Sequence, residues 1–482
     1  MTRADLLAIF GTALALSGCA LGPDFQRPVA DDSIPLTDQP IARQTASAPV
    51  PGGESQRFTD DASLTAEWWK VFGSEPLNEL IDAGLKNNAD LQAADASLRA
   101  ANELALAQRG AYFPTVSASY EPSRQKTAPV LSSALQSNAQ LYSLHTAQLS
   151  VGYTADVFGG TRRLVESTDA QAEMQRFQRE AARLTLTSNI VAAAIQEASL
   201  RAQISAEQDI VKSARRLAEL TRKLHDAGQV SGAEVAAQDA SLAQAEAALP
   251  PLQKQLDLQR DLLSVLVGRF PGQGFTQKFD LATLVLPGEL PVSLPSSLCE
   301  HRPDIRAAEA QLHSASAQVG VAVANRFPQV TITASTGSAA LEFSQLFSSG
   351  TTFWAIAGNI AQPVFQGGTL LHRQRAAEAL LEQAGAQYRG TVLTAFQNVA
   401  DVLHSIDSDA QALEAAAKAE RAAARSLEIA ERQWRGGASG FLGVLIAQEF
   451  HEQAAIALVQ ARAARYTDTA ALFQALGGGW WK

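Results

Sequence analysis

Apolar residues follow a coiled-coil spacing along the longest helical pattern in the chain, which runs from Thr161 to Ala227 without Gly or Pro. Ala, Leu, Gln, Glu and Arg dominate this stretch, and all five are good helix formers. A single helix of this length would extend roughly 100 Å at 1.5 Å per residue, so it must lie beside other long helices. Its positions recur in steps of four and three with Ser188 as the one polar member, slip by one residue and then resume, which predicts coiled-coil packing. They are Phe177, Ala181, Leu184, Val191, Ile195, Ala198 and Ala202, then Ile210, Ala214, Leu217 and Leu224.

Apolar and polar residues alternate strictly in a second kind of segment, which indicates β-strands with one polar and one apolar face. Strands of this length and pattern can cross an outer membrane. A soluble sandwich with one wet face would alternate identically. Against that alternative, four strands flanked by very long helices have no second sheet to pack against. The predicted strands lie near 114–125, 146–157, from 330 onward and near 351–364, with polar loops at 126–139 and 341–350.

The same order of elements occurs twice along the chain. Phe113 and Phe327 lie 214 positions apart, and the same spacing relates Asp90 to Asp304. Two further echoes follow in order, a Gly-Gly pair at 159–160 and 367–368 and a Gly-containing turn at 228–232 and 437–440. Each half therefore reads as helix, Phe-Pro, hairpin, Gly-Gly, very long helix, turn and helix. This pattern predicts a structural tandem repeat.

Four strands per chain restrict how the sheet can close in a membrane. Unpaired strand edges are not tolerated in lipid, because their backbone N–H and C=O groups would have no hydrogen-bond partners. Bacterial single-chain barrels have at least eight strands. Two chains would give eight strands around a lumen filled by side chains, whereas three would give twelve strands and an open lumen. A conduit therefore favours the trimer.

The first residues predict export and lipidation. Arg3 lies in a short, weakly basic region, an apolar stretch runs from Leu6 to Leu16, and Leu16-Ser17-Gly18-Cys19 follows. This arrangement resembles a bacterial lipoprotein signal, in which the peptide is cut before the cysteine and the thiol is acylated, with palmitate as a typical acyl chain. The alternative is an ordinary secretory signal. Ala20 after the cysteine implies sorting to the outer membrane, and the polar stretch up to 62 reads as an extended tether.

Composition and motifs argue against nucleic-acid binding and against an enzyme. The formal net charge is −10, with no basic patch for nucleic acid. The seven histidines are scattered without metal-ligand spacing, and Cys299 with His301 lacks further ligands. The sequence has no Gly-rich phosphate loop and no Gly-x-Ser-x-Gly elbow. We therefore expect no catalytic residues, no metal and no cofactor.

Taken together, the chain resembles the TolC-like outer-membrane efflux proteins, in the lipid-anchored (NodT-type) branch that is paired with resistance-nodulation-division pumps. The resemblance covers essentially the whole mature chain, and Arg-Pro-Asp-Ile followed by Phe-Pro is quite specific to this family. The residues that carry it are Leu16-Ser17-Gly18-Cys19, Trp68-Trp69, Phe72, Leu77, Asn88, Asp90-Leu91, Arg302-Pro303-Asp304-Ile305, Ala308-Glu309, Phe327-Pro328, Pro363-Val364-Phe365, Ala395-Phe396-Gln397 and Val399-Ala400-Asp401.

The resemblance implies a mainly α fold with a membrane β-barrel portion. Three chains would form a 12-stranded β-barrel in the outer membrane, continued across the periplasm by a 12-helix α-barrel. Pro250-Pro251 should break or kink the helix that contains it. The expected domains are a signal peptide 1–18, a lipid-anchored tether 19–62, first-repeat helices and collar 63–113, a first hairpin 114–158, a long helix pair 159–268, a linker and equatorial collar 269–300, a second-repeat helix 301–327, a second hairpin 328–366, a second long helix pair 367–476 and a tail 477–482.

The resemblance also implies a gate at the periplasmic end, where the turns after the two very long helices meet near the axis. The family commonly places acidic residues just after these turns. Glu234 keeps the acidic position in the first turn, whereas the second has Gly443 and Ile446 in the corresponding places. Three copies of Glu234 would form the ring, supplemented by Asp239. The alternative is a solvated glutamate that the helix dipole favours at a helix start.

The expected function is a passive exit duct for small molecules such as drugs and toxic compounds. The implied partners are a periplasmic adaptor protein, an inner-membrane pump and outer-membrane lipid. Within the same fold, the alternative is the exit duct of a type I protein secretion system. From a different class comes a lipid-anchored periplasmic coiled-coil scaffold without a pore.

Overall fold

The computed structural model describes residues 20–29, 31–38, 42–59, 64–131, 137–292 and 295–481. Its helices are α1 Glu75–Asn87, α2 Ala89–Arg109, α3 Gly160–Asp226, α4 Gly232–Leu266, α5 Pro295–His301, α6 Pro303–Ala324, α7 Thr369–Arg435 and α8 Phe441–Ala475. Its strands are β1 Arg57–Thr59, β2 Thr115–Lys126, β3 Leu141–Ala155, β4 Glu289–Pro291, β5 Gln329–Ala340 and β6 Thr352–Ala361. Within the described residues, none of the helices combines the length and hydropathy that a bilayer-spanning helix needs.

The order and the lengths of the elements confirm the tandem repeat predicted from the sequence. α3 and α7 each contain 67 residues, and α4 and α8 each contain 35. α2 and α6 have nearly equal lengths, 21 and 22 residues, and each precedes a β-hairpin. α3 is the long helix expected from Thr161 to Ala227, and α7 is its counterpart in the second half.

Local chemistry explains where α3 begins and ends. The carboxylate of Asp156 accepts hydrogen bonds from the backbone N–H groups of Thr161 and Arg162, both at 2.9 Å. These are free N–H groups of the first turn, and a negative charge is favoured there. At the other end Gly228 has a φ of 73°, which the chain needs to leave the helix. The N–H of Gln229 then donates to the carbonyl of Leu224 at 2.9 Å and closes the final turn.

The sequence predicts a break or a kink at Pro250-Pro251; the break is wrong, because α4 runs through both prolines without interruption. Each proline lacks the N–H that would bond the carbonyl four residues earlier, which belongs to Glu246 or Ala247. Both of these residues are exposed, so water can satisfy their carbonyls. The two missing hydrogen bonds therefore fall on the solvent side of the helix, where their loss costs least.

β2, β3, β5 and β6 form one antiparallel sheet in the order β2-β3-β5-β6. Each predicted hairpin is present, and β3 pairs with β5, so the two repeats join in a single sheet. The first hairpin is longer than expected, because β3 begins at Leu141 and not near Thr146. A separate two-stranded parallel pair joins β1 to β4.

The chain divides into two compact units. The sheet unit comprises Met1–Arg27, Arg99–Met174 and Ala308–Tyr388, and its described part begins at Ala20. The helical unit comprises Pro28–Leu98, Gln175–Ala307 and Arg389–Lys482. The largest apolar core lies in the helical unit, where the Trp68 ring stacks on Phe473 with 5.5 Å between ring centroids. It includes Trp69, Phe72, Leu77, Ile81, Ile190, Ile195, Leu263, Leu281 and Leu290, each at most 2% exposed.

Within the helical unit, the last helix of each repeat is fastened at an equivalent point. The Nδ2 of Asn88 donates to the carbonyl of Leu266 at 3.0 Å, where α4 ends. In the second repeat Arg302 donates through Nη1 to the carbonyl of Ala475 at 2.9 Å, where α8 ends. Carbonyls at a helix C-terminus have no partner within their own helix. The side chain just before α2 or α6 therefore satisfies one of them in each repeat.

We expect Asn88→Ala to destabilise the protein by about 1–2 kcal/mol, because it removes two hydrogen bonds at a buried position. Asn88 is 7% exposed, and its Oδ1 also accepts the N–H of Leu91 at 3.0 Å as the cap of α2. The apparent melting temperature of the purified protein measures the effect. Asn87→Ala is the matched control, since the Asn87 amide is exposed and donates to the Ala83 carbonyl one turn earlier. Equal melting temperatures for both variants would contradict a stabilising role for the two hydrogen bonds of Asn88.

Candidate functional site

The sheet has one apolar and one polar face. Val116, Val151, Ala334 and Ile356 lie opposite one another across the four strands and so share a face. Trp354, Ile356 and Ile360 are 72–76% exposed on this side. The alternate positions carry the polar side chains, which include Ser117, Ser119, Gln148, Ser150, Thr331 and Thr333. One face is thus suited to lipid and the other to water.

The two outer strands of this sheet are open in a single chain. In the described part of the chain, β2 pairs with β3 alone and β6 pairs with β5 alone. Each outer strand therefore presents a free row of backbone N–H and C=O groups along about 10–12 residues. Such edges invite pairing with another chain.

Several helices also carry apolar side chains that the single chain leaves exposed. Leu104 and Leu106 of α2 are 67% and 56% exposed, and Leu380 and Leu393 of α7 are 59% and 65% exposed. Large apolar side chains that remain exposed in this way are candidates for contact with another chain. The exposed edges and the exposed leucines both indicate that one chain is part of a larger assembly.

The turn between α3 and α4 places the first predicted gate residue, Glu234, in a capping box. The Glu234 carboxylate accepts a hydrogen bond from the N–H of Ser231 at 2.7 Å, and the Ser231 hydroxyl accepts one from the N–H of Glu234 at 3.3 Å. This reciprocal pair satisfies free N–H groups at the start of α4. Asp239, the supplementary acid, instead bonds Arg222 at 2.7 Å. Glu234 thus has a structural role, whatever else it does.

The turn between α7 and α8 differs in its chemistry. Gly440 occupies the N-cap position and offers no side-chain cap. Gly443 and Ile446, the other two predicted gate residues, are both exposed, Ile446 at 46%. In place of a polar cap, the rings of Trp434 and Phe441 pack with 5.2 Å between centroids. The second turn is therefore held by apolar contacts.

Both turns contribute to one apolar cluster in the helical unit. Trp434, Phe441 and Val444, which flank the second turn, pack with Leu217 of α3 and with Val230 in the first turn. The structure therefore brings the segments that carry Glu234, Gly443 and Ile446 close together. Cys19, the predicted lipidation site, lies outside the described residues.

Sequence reasoning missed a pair of acidic side chains between α3 and α8. Glu207 is 2% exposed, and burial together with the carboxylate of Glu452 raises the pKa of Glu207 from 4.5 to about 7. Burial also raises the pKa of Glu452. The available signal was the slip in the apolar stripe between Ala202 and Ile210, since Glu207 takes an interior position there. Because its pKa is higher in the folded than in the unfolded chain, ionising Glu207 costs stability as the pH rises from 4.5 to about 7.

A second acidic pair joins α7 to α8. Burial raises the pKa of Asp468 to about 6, and the neighbouring Asp409 carboxyl adds to this effect. Burial raises the pKa of Asp409 as well. Neither pair forms a metal centre: no group of three or more His, Cys, Asp or Glu side chains in the described residues is placed to hold a metal ion.

Comparison with known proteins agrees with this geometry. The family model for outer membrane efflux proteins matches residues 80–269 and 294–478. The chain is 30% identical over 484 residues to the probable efflux pump outer membrane protein TtgC of Pseudomonas putida, covering 100% of this chain and 97% of TtgC. It is 32% identical over 426 residues to the pyoverdine export outer membrane protein OpmQ of Pseudomonas aeruginosa, covering 87% of this chain and 89% of OpmQ.

Solved structures show the same fold. The outer-membrane channel OprN superposes with a TM-score of 0.85 at 28% identity, covering 96% of this chain and 100% of OprN. The outer membrane protein VceC of Vibrio cholerae superposes with a TM-score of 0.82 at 28% identity, covering 86% of this chain and 100% of VceC. The resemblance read from the sequence is thereby confirmed: the chain belongs to the outer membrane efflux protein family and has the fold of a TolC-like outer-membrane channel.

Proposed function

We propose that three copies of this chain form the outer-membrane exit duct of a tripartite efflux system. The observation that carries the proposal is the four-stranded sheet, with one polar face, one apolar face and both outer strands unpaired in a single chain. Three such sheets joined edge to edge give twelve strands and a water-filled lumen lined by the polar faces. The exposed leucines of α2 and α7 then contact neighbouring copies.

The long helices extend the duct to its partners. A periplasmic adaptor and a resistance-nodulation-division pump in the inner membrane deliver small molecules to the helical end. Relatives named as outer membrane components of toluene, antibiotic and pyoverdine export support small molecules as the class of cargo. In this assembly, the two hairpins expected from the sequence lie in the membrane and the two long helix pairs lie in the periplasm.

The lipid anchor and the gate complete the proposal. Acylation of Cys19 attaches the N-terminus to the membrane. At the helical end, the turns that carry Glu234, Gly443 and Ile446 form the constriction, and three copies of Glu234 supply its acidic ring. The capping geometry is compatible with this second role, because one Glu234 oxygen satisfies the helix start while the carboxylate keeps its negative charge.

The assembly predicts a trimer that conducts ions. Native mass spectrometry of the detergent-extracted protein should show three chains, and reconstitution in a planar bilayer should give discrete conductance steps. A stable monomer, or trimers without conductance, would overturn the exit duct and favour a scaffold. A further experiment expresses the chain in a cell that lacks it but retains its pump and adaptor. Restored export of small molecules would distinguish an efflux duct from a protein-secretion duct.

The lipid anchor predicts that Cys19→Ser abolishes acylation while the sheet can still assemble. Intact-mass measurement of the mature protein should show a diacylglyceryl and acyl increment on Cys19 in the parent and none in the variant. The parallel substitution Cys299→Ser is the control, since Cys299 is buried in the folded chain and should leave the lipid mass unchanged. If the mature parent protein instead begins at a residue other than Cys19 and carries no lipid, the proposed lipid anchor is wrong.

The gate predicts that Glu234→Gln weakens block by divalent cations in single-channel recordings. Glutamine can replace glutamate in a capping box, so this change removes the charge and keeps the helix start. Glu246→Gln is the matched control on the same helix, where Glu246 pairs with Arg215 at 2.6 Å. Unchanged block in the Glu234 variant would leave Glu234 as a helix cap alone.

A further inference from the structure

Buried polar side chains form a row on the face of α3 that packs against α8. Ser199, Gln203 and Glu207 lie four residues apart and are 2%, 6% and 2% exposed. Gln203 donates to the Ser199 hydroxyl at 3.1 Å and accepts a hydrogen bond from Gln460 of α8 at 3.3 Å. Interior positions of a coiled coil are ordinarily apolar. This polar row therefore weakens the hydrophobic contact between α3 and α8.

Glu207 ends the polar row, and no positive charge neutralises it there. In the described part of the chain, its Oε1 is buried and has no hydrogen-bond partner. The charged group that acts on it is Glu452 of α8, a carboxyl group of the same sign. An ionised carboxyl that is buried without a partner is costly, and two neighbouring carboxylates repel each other. Burial and Glu452 therefore keep Glu207 protonated up to a pKa of about 7.

A cavity of about 370 Å³ adjoins this pair and lies between α3, α4, α7 and α8. Glu452 lines it, and so does Gln448, whose buried Oε1 has no partner among the described residues. The apolar part of the lining consists of Ile210, Ala214, Ala245, Leu427 and Ala455. Protein interiors are ordinarily close-packed, with few voids larger than a water molecule. The helix pair α3/α4 therefore has room to shift against the helix pair α7/α8, and the polar lining can hold water.

The charged groups around the cavity supply little positive charge to Glu207 and Glu452. They are Asp209 and Arg216 of α3, Glu420 of α7, and Glu449 and His451 of α8. Arg216 is exposed, so water and salt screen its charge. His451 lies 3.9 Å from Glu420, which balances the charge of an imidazolium there. α4 lines the cavity with Ser241 and Ala245, which carry no charge. Among these groups, the acidic pair has no dedicated counter-ion.

The other repeat shows that the fold does not require these two acids. α3 and α7 begin at residues 160 and 369, and α4 and α8 begin at 232 and 441, so the equivalent helices are 209 residues apart. This spacing relates Glu207 to Ala416 and Glu452 to Ala243. Two alanines thus occupy the equivalent positions in helices of the same lengths. The acidic pair is an added feature of the contact between α3 and α8.

We propose that Glu207 and Glu452 form a proton latch that holds the helix pair α3/α4 to the helix pair α7/α8. With a proton on Glu207, α3 and α8 stay packed along the polar row. When both carboxyls ionise, their charges repel, the two helices separate and water enters the cavity. Because the pKa of Glu207 is higher in the folded than in the unfolded chain, the latch is closed at acidic pH and opens as the pH rises through about 7.

The latch also bears on the constriction, and this part of the inference rests on the proposed function. α3 ends at the first turn and α8 begins at the second turn. Both turns share the apolar cluster that contains Leu217 and Val444. Separation of α3 from α8 therefore strains this cluster and lets the two turns move apart. We expect the duct to open more readily at pH 8.0 than at pH 5.5.

Amide hydrogen exchange of the full-length, detergent-extracted protein tests the latch. Exchange of residues 448–456 in α8 is compared at pH 5.5 and pH 8.0, each relative to the intrinsic rate at that pH. Protection in the parent should fall about tenfold or more at pH 8.0, since each unit of pKa difference between the folded and unfolded chains corresponds to a factor of about ten. Glu207→Gln keeps the size of the side chain and stays neutral, so protection should be equal at both pH values. Glu452→Gln should reduce the response without abolishing it, because Glu207 remains buried.

Glu219→Gln is the matched control, because Glu219 lies on the same helix but is exposed. This variant should keep the pH response of the parent. Protection in the parent that does not change with pH would overturn the latch. An equal fall in protection in the parent and in the Glu207→Gln variant would overturn it as well.

Planar-bilayer recordings of the same samples test the link to the constriction. Openings should be more frequent at pH 8.0 than at pH 5.5 in the parent and equally frequent at both pH values in the Glu207→Gln variant. Equal opening at both pH values in the parent would overturn this link. A protein that forms no channels refutes the proposed duct, whereas hydrogen exchange still decides whether the latch exists.

Discussion

The structure depends on one constraint, that every backbone N–H and C=O group within a bilayer must have a hydrogen-bond partner. A chain with four strands in one sheet satisfies this requirement internally but not along β2 and β6. The pairing of β3 with β5 joins the two repeats in one sheet and leaves one open edge from each repeat. In the proposed trimer, these two open edges pair with the edges of neighbouring copies. As a member of its family, the protein resides in the outer membrane and extends into the periplasm.

The two repeats keep the same geometry with different chemistry. Asn88 in one repeat and Arg302 in the other bond the terminal carbonyl of the last helix. At another pair of equivalent positions, one repeat has a charged side chain and the other an apolar one. Buried Glu197 bonds Arg201 and Arg260 at 2.7 Å, whereas the position 209 residues later holds the buried Ile406. A charged group inside the bundle requires its partners, whereas an apolar one requires only volume. The two repeats thus share helix lengths and the position at which the last helix is bonded, although the side chains at equivalent positions differ.

The turns that end the long helices show how local and functional demands share residues. The first is stabilised by the polar cap of Ser231 and Glu234 and the second by Trp434 against Phe441. A capping glutamate keeps its negative charge, so structural and electrostatic roles can coexist in one side chain. The buried acids Glu207 and Asp468 are different, because their raised pKa values make the helical unit sensitive to pH near neutrality and below.

The sequence alone determined those features that depend on neighbours along the chain. The absence of Gly and Pro from 161–227 predicts α3, and strict alternation of apolar and polar residues predicts the strands. The 214-residue spacing predicts the repeat without any knowledge of contacts. The sequence places Glu234 at the turn after the long helix, with a helix-start role as the alternative, whereas its bonds with Ser231 depend on the folded geometry of that turn.

Only the tertiary structure decided features whose partners lie far apart in sequence. Asn88 meets Leu266 178 positions away, and Arg27 meets Glu309 282 positions away. Nothing in the spacing of single residues encodes such contacts, because they arise when several elements pack at once. The same reason explains why α4 continues through Pro250-Pro251. The cost of the hydrogen bonds that these prolines cannot make depends on which side of the helix faces water. It also explains the contact between Gly22 and Gly320, where a Cβ on Gly22 would lie 2.4 Å from the Cα of Gly320.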